Sequence, residues 1–245
     1  MLFSAELGVS APLRSKVIIE SIMKKAYFIT GTDTGVGKTL VACALLRAFV
    51  KQGNKAVGMK PVAAGCMETP AGLCCDDVEN LRAAGNVDAS PEWINPYALI
   101  LPVAPHIAAA RMGLDIRLEK IEQSYLKLCG MADVVVVEGV GGFMVPLNGR
   151  EDTADMAQRL GLPVIMVVGL RLGCLNHALL SAQAVRQRGL TLAGWVANQI
   201  EPDVAFVQDS VAALEQRLDA PLIGVVPYRQ GLSSEEMAGM LRTDF

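Results

Sequence analysis

Short apolar runs alternate with longer stretches of helical periodicity along most of the chain. Several runs are almost continuously apolar, as expected for parallel strands that are covered on both faces. The pattern predicts strands at residues 26–30, 56–60, 133–137, 163–168, 192–197 and 222–226. It predicts helices at residues 38–52, 117–130, 153–160, 176–188 and 203–218.

This alternation is the βαβ rhythm of an α/β fold with a doubly wound, mostly parallel sheet. No internal repeat or linker divides the 245 residues, so we expect one domain over residues 23–245. Residues 1–22 lack the basic start and long apolar core of a signal peptide. We expect them to be a disordered extension or the product of an over-extended gene start, and we assign them no function.

Composition narrows the class of function. Hydrophobic residues make up 52% of the chain and charged residues 19%, as in a compact enzyme with a covered sheet. The formal net charge is −3 and no block of Lys or Arg occurs, which argues against a nucleic-acid partner. The apolar run at residues 160–170 contains Gly and Pro and is too short to cross a membrane.

The six cysteines show no paired C-x-x-C spacing. Cys74 and Cys75 precede two aspartates and could belong to a metal site, but no second pair completes one. A reduced, cytoplasmic chain with free thiols is the simpler interpretation.

Residues 31–39, GTDTGVGKT, carry the strongest chemical signal. They follow the first predicted strand and open the first predicted helix, which is the context of a phosphate-binding loop. Lys38 would reach the β- and γ-phosphates, and the Thr39 hydroxyl would bind Mg²⁺. Thr32 stands where the usual pattern has its first glycine. An ordinary glycine-rich turn is the weaker interpretation, so we expect the chain to bind a nucleoside triphosphate.

Polar side chains stand at the ends of three predicted strands: Lys60, Glu138 and Asn198. Ligands of open α/β sheets bind beyond the carboxyl ends of the strands. A lysine in such a dry position needs an anion, which indicates phosphate or carboxylate. Glu138 precedes the glycine-rich turn 139–142, so it is either a second Mg²⁺ ligand or a salt-bridged strand end, and we favour the ligand.

Three further positions have two interpretations each. Asp76 and Asp77 would supply a metal carboxylate or would cap a helix that begins near Val78. His106 lies in the first turn of a predicted helix, where a packed or capping histidine is more common than a general base. Trp195 lies inside an apolar strand, so we expect it in the core.

Taken together, these motifs resemble the dethiobiotin synthetases, ATP-dependent enzymes that close the ureido ring in biotin synthesis. The resemblance spans residues 26–227. Its most specific segments are residues 31–39, 60–62, 95–97, 105–106, 137–142, 172–178 and 194–198. It implies a P-loop NTPase-like, three-layer architecture and a requirement for ATP and Mg²⁺.

The resemblance also implies a reaction. An amine of 7,8-diaminononanoate would capture CO₂ as a carbamate, whose oxygen would attack the γ-phosphate of ATP. The second amine would then close the ring and expel phosphate. Phosphoryl transfer to a weak nucleophile needs alignment and charge neutralisation, which fits Lys38 and Lys60 as the catalytic residues.

Matching positions carry the other roles. The ATP contacts implied by the resemblance are Gly35, Val36, Gly37, Lys38, Thr39, Asp77, Asn198 and Gln199. The implied metal ligands are Thr39, Asp77 and Glu138. The implied diamine contacts are Glu138, Gly139, Gly141, Gly142, Ala64 and Asn176. Asn176 would act across the interface of a homodimer with shared active sites.

The chain departs from the family pattern at three places. Ala64 stands where a serine is common, Gln199 replaces a frequent aspartate, and Tyr228-Arg229 replaces a frequent Trp-Leu. A related synthetase with a divergent substrate is therefore one alternative. A dimeric P-loop ATPase switch is another, but such switches carry an additional lysine early in the loop, where this chain has none. A corrin-amidating synthetase is a third alternative, which ranks lower because we expect no additional glutamine-hydrolysing domain in this sequence.

Overall fold

The computed structural model describes residues 25–70 and 72–245, so the extension expected at residues 1–22 lies outside the described residues. The strands are β1 (Lys25–Gly31), β2 (Ala56–Met59), β3 (Val62–Ala64), β4 (Met67–Thr69), β5 (Gly72–Cys74), β6 (Tyr97–Leu99), β7 (Val134–Glu138), β8 (Val164–Leu170), β9 (Leu192–Gln199) and β10 (Leu222–Val226). The helices are α1 (Lys38–Lys51), α2 (Asp76–Ala84), α3 (Pro91–Ile94), α4 (Pro105–Arg111), α5 (Leu118–Cys129), α6 (Thr153–Leu160), α7 (Cys174–Gln187), α8 (Val207–Glu215) and α9 (Ser234–Ala238).

Six of these strands form the central sheet, in the order β10-β9-β8-β1-β7-β2, and each neighbouring pair is parallel. This confirms the predicted doubly wound α/β fold and its six long strands. Two small additions lie beside the sheet: a parallel pair of β3 and β6, and an antiparallel hairpin of β4 and β5.

Alternate residues of the central strands fill two separate cores. Phe28 and Val137 pack on one face, in the same core as residues of α5, α6 and α7. Ile29 and Val136 pack on the other face with residues of α1 and α2. Because both faces are covered by helices, the strands can be apolar throughout, which makes the architecture three-layered. Trp195 is fully buried in β9, as expected.

The sheet topology brings the strand ends of interest together. The chain leaves β1, forms α1, and returns as β2 two positions away, with β7 between them. It later adds β8 on the opposite side of β1. The direction of winding therefore reverses at β1, and crevices for ligands open at such switch points.

Two further observations concern the cysteines and the length of the helices. All six cysteines are free thiols. In the part of the chain that is described, no helix is both long and apolar enough to span a bilayer.

Candidate active site

The loop between β1 and α1 adopts a conformation that only glycine allows at two positions. Gly35 and Gly37 have φ angles of 75° and 91°, in the left-handed region that disfavours side chains. A Cβ on Gly37 would also collide with the Asn198 amide nitrogen. Since α1 begins at Lys38, its unpaired N–H groups face the loop, and a helix N-terminus of this kind favours an anion.

Asn198 fastens this loop to the sheet. It is the second-to-last residue of β9, is nearly inaccessible, and donates from Nδ2 to the Val36 carbonyl oxygen at 2.9 Å. The Val36 side chain is buried against Gly169 beneath the loop, so only its backbone is available to a phosphate. The loop is therefore anchored from below by a strand end and by an apolar side chain.

A cluster of four polar side chains joins the first turns of two helices to the ends of two strands. The Thr39 hydroxyl of α1 lies 2.9 Å from Asp77 Oδ1 and 2.8 Å from Glu138 Oε1. Lys60, directly after β2, donates from Nζ to Asp77 Oδ2 at 2.7 Å and to Glu138 Oε1 at 2.6 Å. The capping role considered for Asp77 does not describe these contacts, because its carboxylate faces the cluster.

Burial and charge set the protonation of this cluster. The Glu138 side chain is 0% exposed and Asp77 is 43% exposed, with Lys60 between them. Burial raises the pKa of Glu138, although the Lys60 ammonium opposes it. Burial also acts to lower the pKa of Lys60, but the two carboxylates outweigh this and raise it. The pKa of Asp77 is lowered, because Lys60 outweighs burial. The cluster therefore holds a protonated lysine.

One atom of the cluster is unsatisfied. Glu138 Oε2 is buried and has no hydrogen-bond partner among the described residues. Buried polar atoms without partners are uncommon and call for an explanation such as an ion. Thr39, Asp77 and Glu138 offer hard oxygen atoms, the ligands that Mg²⁺ prefers.

The described residues contain no group of three or more His, Cys, Asp or Glu side chains that could enclose a metal. Magnesium sites at phosphates commonly use one or two carboxylates and complete their coordination with water and phosphate oxygens. The three oxygen donors at the end of β7 fit that kind of site.

Lys38 faces the same space from the loop. Its Nζ donates to the Asp33 carbonyl oxygen at 2.9 Å, and its side chain is largely buried. Burial, and then the neighbouring Lys60 ammonium, lower the pKa of Lys38 to about 8. An anion beside Lys38 would remove this penalty, because it favours the charged form.

Two contacts fix the Asp33 carboxylate. It accepts a hydrogen bond from the Thr34 N–H at 2.7 Å and forms an ion pair with Arg171, which follows β8. The Thr34 N–H, together with Arg171, lowers the pKa of Asp33 below its usual value. The first half of the phosphate loop is thus tied to the end of β8.

The phosphate loop and the cluster of Thr39, Lys60, Asp77 and Glu138 line a cleft of about 770 Å³. Its walls are the phosphate loop on one side and the turn after Glu138 and the loop 102–105 on the other. The cleft is large enough for small-molecule substrates. The predicted site residues that line it are Gly35, Gly37, Lys38, Thr39, Lys60, Ala64, Asp77, Glu138, Gly141 and Gly142.

Other predicted residues lie outside this lining. Gly139 packs against Phe28, where a Cβ would come within 3.0 Å of the ring. Gln199 donates to the carbonyl oxygen atoms of Glu201 and Pro202 in its own loop, each at 3.1 Å. Asn176 is exposed on α7.

Sequence reasoning gave no role to Asp33 or Arg171, and it missed the wall formed by residues 102–105. Arg171 directly follows an apolar strand, so the strand-end rule that selected Lys60 and Glu138 could have found it. In the loop 102–105 only Pro105 carries a signal, as part of the segment 105–106 of the family resemblance, because the contribution of this wall depends on how α4 packs beside the sheet.

The sequence is similar to that of known proteins along most of its length. A family model described as an AAA domain matches residues 25–236. The ATP-dependent dethiobiotin synthetase BioD of Nitrosospira multiformis is 57% identical over 219 residues, covering 89% of this chain and 95% of the relative. The chain belongs to the dethiobiotin synthetase family. The BioD of Aromatoleum aromaticum is 52% identical, covering 89% of this chain and 97% of the relative.

Solved structures extend the family assignment to the fold. The MinC:MinD cell division protein complex of Aquifex aeolicus aligns with a TM-score of 0.52 and 17% identity, over 87% of this chain and 86% of that chain. MinD complexed with Mg-ADP from Pyrococcus horikoshii OT3 aligns with a TM-score of 0.50 and 16% identity, over 88% and 92%. At these identities the likeness shows the fold alone. The chain therefore has the P-loop NTPase-like fold that its motifs predict.

Proposed function

We propose that this protein converts 7,8-diaminononanoate, CO₂ and ATP into dethiobiotin, ADP and phosphate, with Mg²⁺ as the required metal ion. The observation that carries the proposal is the cluster of Thr39, Lys60, Asp77 and Glu138 beside the phosphate loop. It brings a buried cation and oxygen atoms of the kind that Mg²⁺ prefers together in one cleft, in a chain of the dethiobiotin synthetase family.

Thr39, Asp77 and Glu138 would hold the Mg²⁺, which supplies neutralisation of phosphate charge when it is bound. The unsatisfied Glu138 Oε2 supports this assignment. The backbone of Gly35, Val36 and Gly37 would surround the phosphates, and Asn198 and Gln199 would lie toward the adenine.

The reaction would proceed in three steps. One amine of the substrate adds to CO₂ and loses a proton, which gives a carbamate. A carbamate oxygen attacks the γ-phosphorus of ATP, and the bond to ADP breaks. The second amine then attacks the carbonyl carbon, loses a proton and releases phosphate as the ring closes.

Lys60 and Lys38 would act in the second step. A carbamate and a γ-phosphate repel each other, so their approach needs fixed positive charge. The ammonium of Lys60 is held in place by two carboxylates and stays protonated. Lys38 releases the Asp33 carbonyl oxygen and binds phosphate instead.

The diamine would occupy the part of the cleft between Ala64 and the turn that contains Gly139, Gly141 and Gly142. Ala64, Gly141 and Gly142 line this part. Ala64 offers no hydroxyl group there, so backbone groups and Lys60 would make the polar contacts. A divergent substrate remains the alternative that Ala64 favours.

We also infer a homodimer with shared active sites. Three leucine side chains are exposed on α7 and on the turn before it: Leu172, Leu175 and Leu180. The side chain of Leu172 is fully exposed. Asn176 lies on the same exposed segment. A second copy that covers this segment would bring Asn176 to the neighbouring cleft. The free thiols are consistent with a cytoplasmic enzyme.

The test is incorporation of labelled bicarbonate into an acid-stable product by purified protein with diaminononanoate, ATP and Mg²⁺. We expect label in dethiobiotin that disappears when ATP or Mg²⁺ is omitted. Folded protein that binds ATP and yields no labelled product would contradict the proposal. Ala64→Ser is then the first variant to assay, because it restores the hydroxyl that is common in the family.

A further inference from the structure

A buried threonine outside the cleft holds one wall of it. Thr153 is 0% exposed and is the first residue of α6. Its hydroxyl donates to the Phe143 carbonyl oxygen at 2.6 Å and accepts from the Val145 N–H at 2.9 Å. Its own N–H donates to the Val145 carbonyl oxygen at 2.9 Å. These three hydrogen bonds, with a longer one from the hydroxyl to the Gly142 carbonyl oxygen at 3.4 Å, join Thr153 to residues 142–145, where the glycine-rich turn after β7 ends.

This turn lies against the phosphate loop. Gly141 has a φ of 62°, and a Cβ there would lie 2.9 Å from Val145 and 3.6 Å from the Thr34 hydroxyl. A Cβ on Gly142 would lie 3.8 Å from the Gly31 carbonyl oxygen. The turn and the phosphate loop are thus nearly in contact. Both of them, together with Lys60, line the cleft.

Thr153 itself is firmly fixed. Asp152 and Asp155 form a reciprocal capping box around the start of α6, with both hydrogen bonds at 2.8 Å. Arg188, which follows α7, forms ion pairs with both of these aspartates. The base of the turn is therefore tied through Asp152, Asp155 and Arg188 to the end of a second helix, whereas Met144 at its tip is exposed.

We propose that Thr153 is a positioning residue that sets the distance between the substrate-facing turn and the phosphate loop. The proposal rests on the proposed function, since it assigns the turn to the diamine side of the cleft. Thr153 touches no substrate. It fixes Gly141, Gly142 and Val145, so that the carbamate oxygen and the γ-phosphate meet in line. Errors of about 1 Å in such alignment cost up to about a hundredfold in rate.

Thr153→Val tests this, because it keeps the shape and removes only the hydroxyl. The variant leaves the Val145 N–H without a partner, and the turn shifts. We expect the KM for diaminononanoate to rise by about tenfold or more and kcat to fall. We expect the Kd for ATP, measured without diamine, to change less than twofold, because Lys38 and Thr39 are untouched. Thr153→Ser should restore the wild-type values.

The chain offers a matched control. Thr30 is equally buried, but its hydroxyl has no hydrogen-bond partner in the described part of the chain. Thr30→Val makes the same chemical change without breaking a hydrogen bond, so its KM and kcat should equal those of the wild type. Thr153→Ala is measured in parallel. If Thr153→Val does not fold, the KM and kcat of Thr153→Ala are compared with those of the wild type and Thr153→Ser instead.

The outcomes separate the two proposals. Wild-type KM and kcat in Thr153→Val and Thr153→Ala, even with a lower melting temperature, overturn the positioning role. Equal impairment of Thr153→Ser overturns it as well, because the hydroxyl is then not the cause. A wild type that forms no dethiobiotin overturns the proposed function and this inference with it. An active wild type with unaltered variants overturns the inference alone.

Discussion

At the scale of single residues, the site depends on one ammonium group that pairs with two carboxylates. Lys60 is the cation nearest to Glu138, whose side chain is fully buried. Breaking a buried ion pair by removing one partner leaves an uncompensated charge and is strongly destabilising. Lys60 therefore serves both the proposed reaction and the stability of the site.

Lys60→Ala should lower dethiobiotin formation by at least about a hundredfold, as expected when a preorganised charge is lost. The protein should stay folded but lose about 3 kcal/mol of unfolding free energy, because Glu138 is left unpaired. Urea denaturation and the bicarbonate assay measure the two effects. Adding Glu138→Gln should recover the stability and not the activity. Wild-type turnover in Lys60→Ala would refute the assigned role.

Lys38 gives the site a predictable pH dependence. Its pKa is about 8 in the ligand-free protein, and bound phosphate must raise it. The complex then holds more protons than the free protein above pH 8, so the affinity for ATP should fall as the pH rises from 7 to 9. Calorimetry at pH 8 in two buffers of different ionisation enthalpy should detect proton uptake. Lys38→Arg, which stays charged, should lose this uptake; an unchanged proton uptake would count against Lys38 as its source.

At the scale of elements, the phosphate loop depends on a left-handed glycine packed against a strand end. Gly37→Ala should destabilise the protein by about 1–2 kcal/mol for the backbone alone. It should also abolish ATP binding, because the new methyl group displaces Asn198. Gly53→Ala is the control, since Gly53 also has a positive φ but has open space around it and lies after α1. It should lose stability and retain ATP binding. Equal loss of ATP binding in both variants would contradict the argument.

The elements that the sequence predicted well are the long ones. β7 and β8 are buried on both faces, so β8 is apolar along its whole length and β7 is apolar up to its last residue, Glu138. β3 and β6 have three residues each, which is too short for periodicity to appear. The helix predicted from residue 203 begins only at Val207, because Phe206 has a left-handed φ of 55° that no propensity indicates.

The site was predictable where a strand end or a motif marks a residue, as for Lys60, Glu138 and Lys38. It was not predictable where the contact depends on tertiary packing. Thr153 carries no motif, and its importance follows only from the position of a turn ten residues before it. The pairing of Asp33 with Arg171 likewise depends on which strands are neighbours in the sheet.

At the scale of the whole molecule, the exposed leucines of α7 should mark the interface between two copies. Leu172→Asp should convert a dimer into a monomer, which light scattering coupled to size exclusion can measure. Asn176→Ala should leave the dimer intact and raise the KM for diaminononanoate. Met131→Asp is the control, because Met131 is an exposed apolar residue before the amino end of β7, whereas Leu172 follows the carboxyl end of the parallel strand β8. A wild-type chain that is monomeric at assay concentrations would refute the interface.

The central position of β1 has a consequence for the synthesis of the protein. β1 is made first among the strands of the sheet, yet its partners β7 and β8 lie more than a hundred residues later. At a synthesis rate of roughly 5–20 residues per second, the backbone groups along both edges of β1 stay without a partner strand for on the order of 5–20 s. During that interval the nascent chain exposes a strand of high aggregation tendency, so the yield of soluble protein should rise with slower initiation or with chaperones that bind extended apolar segments.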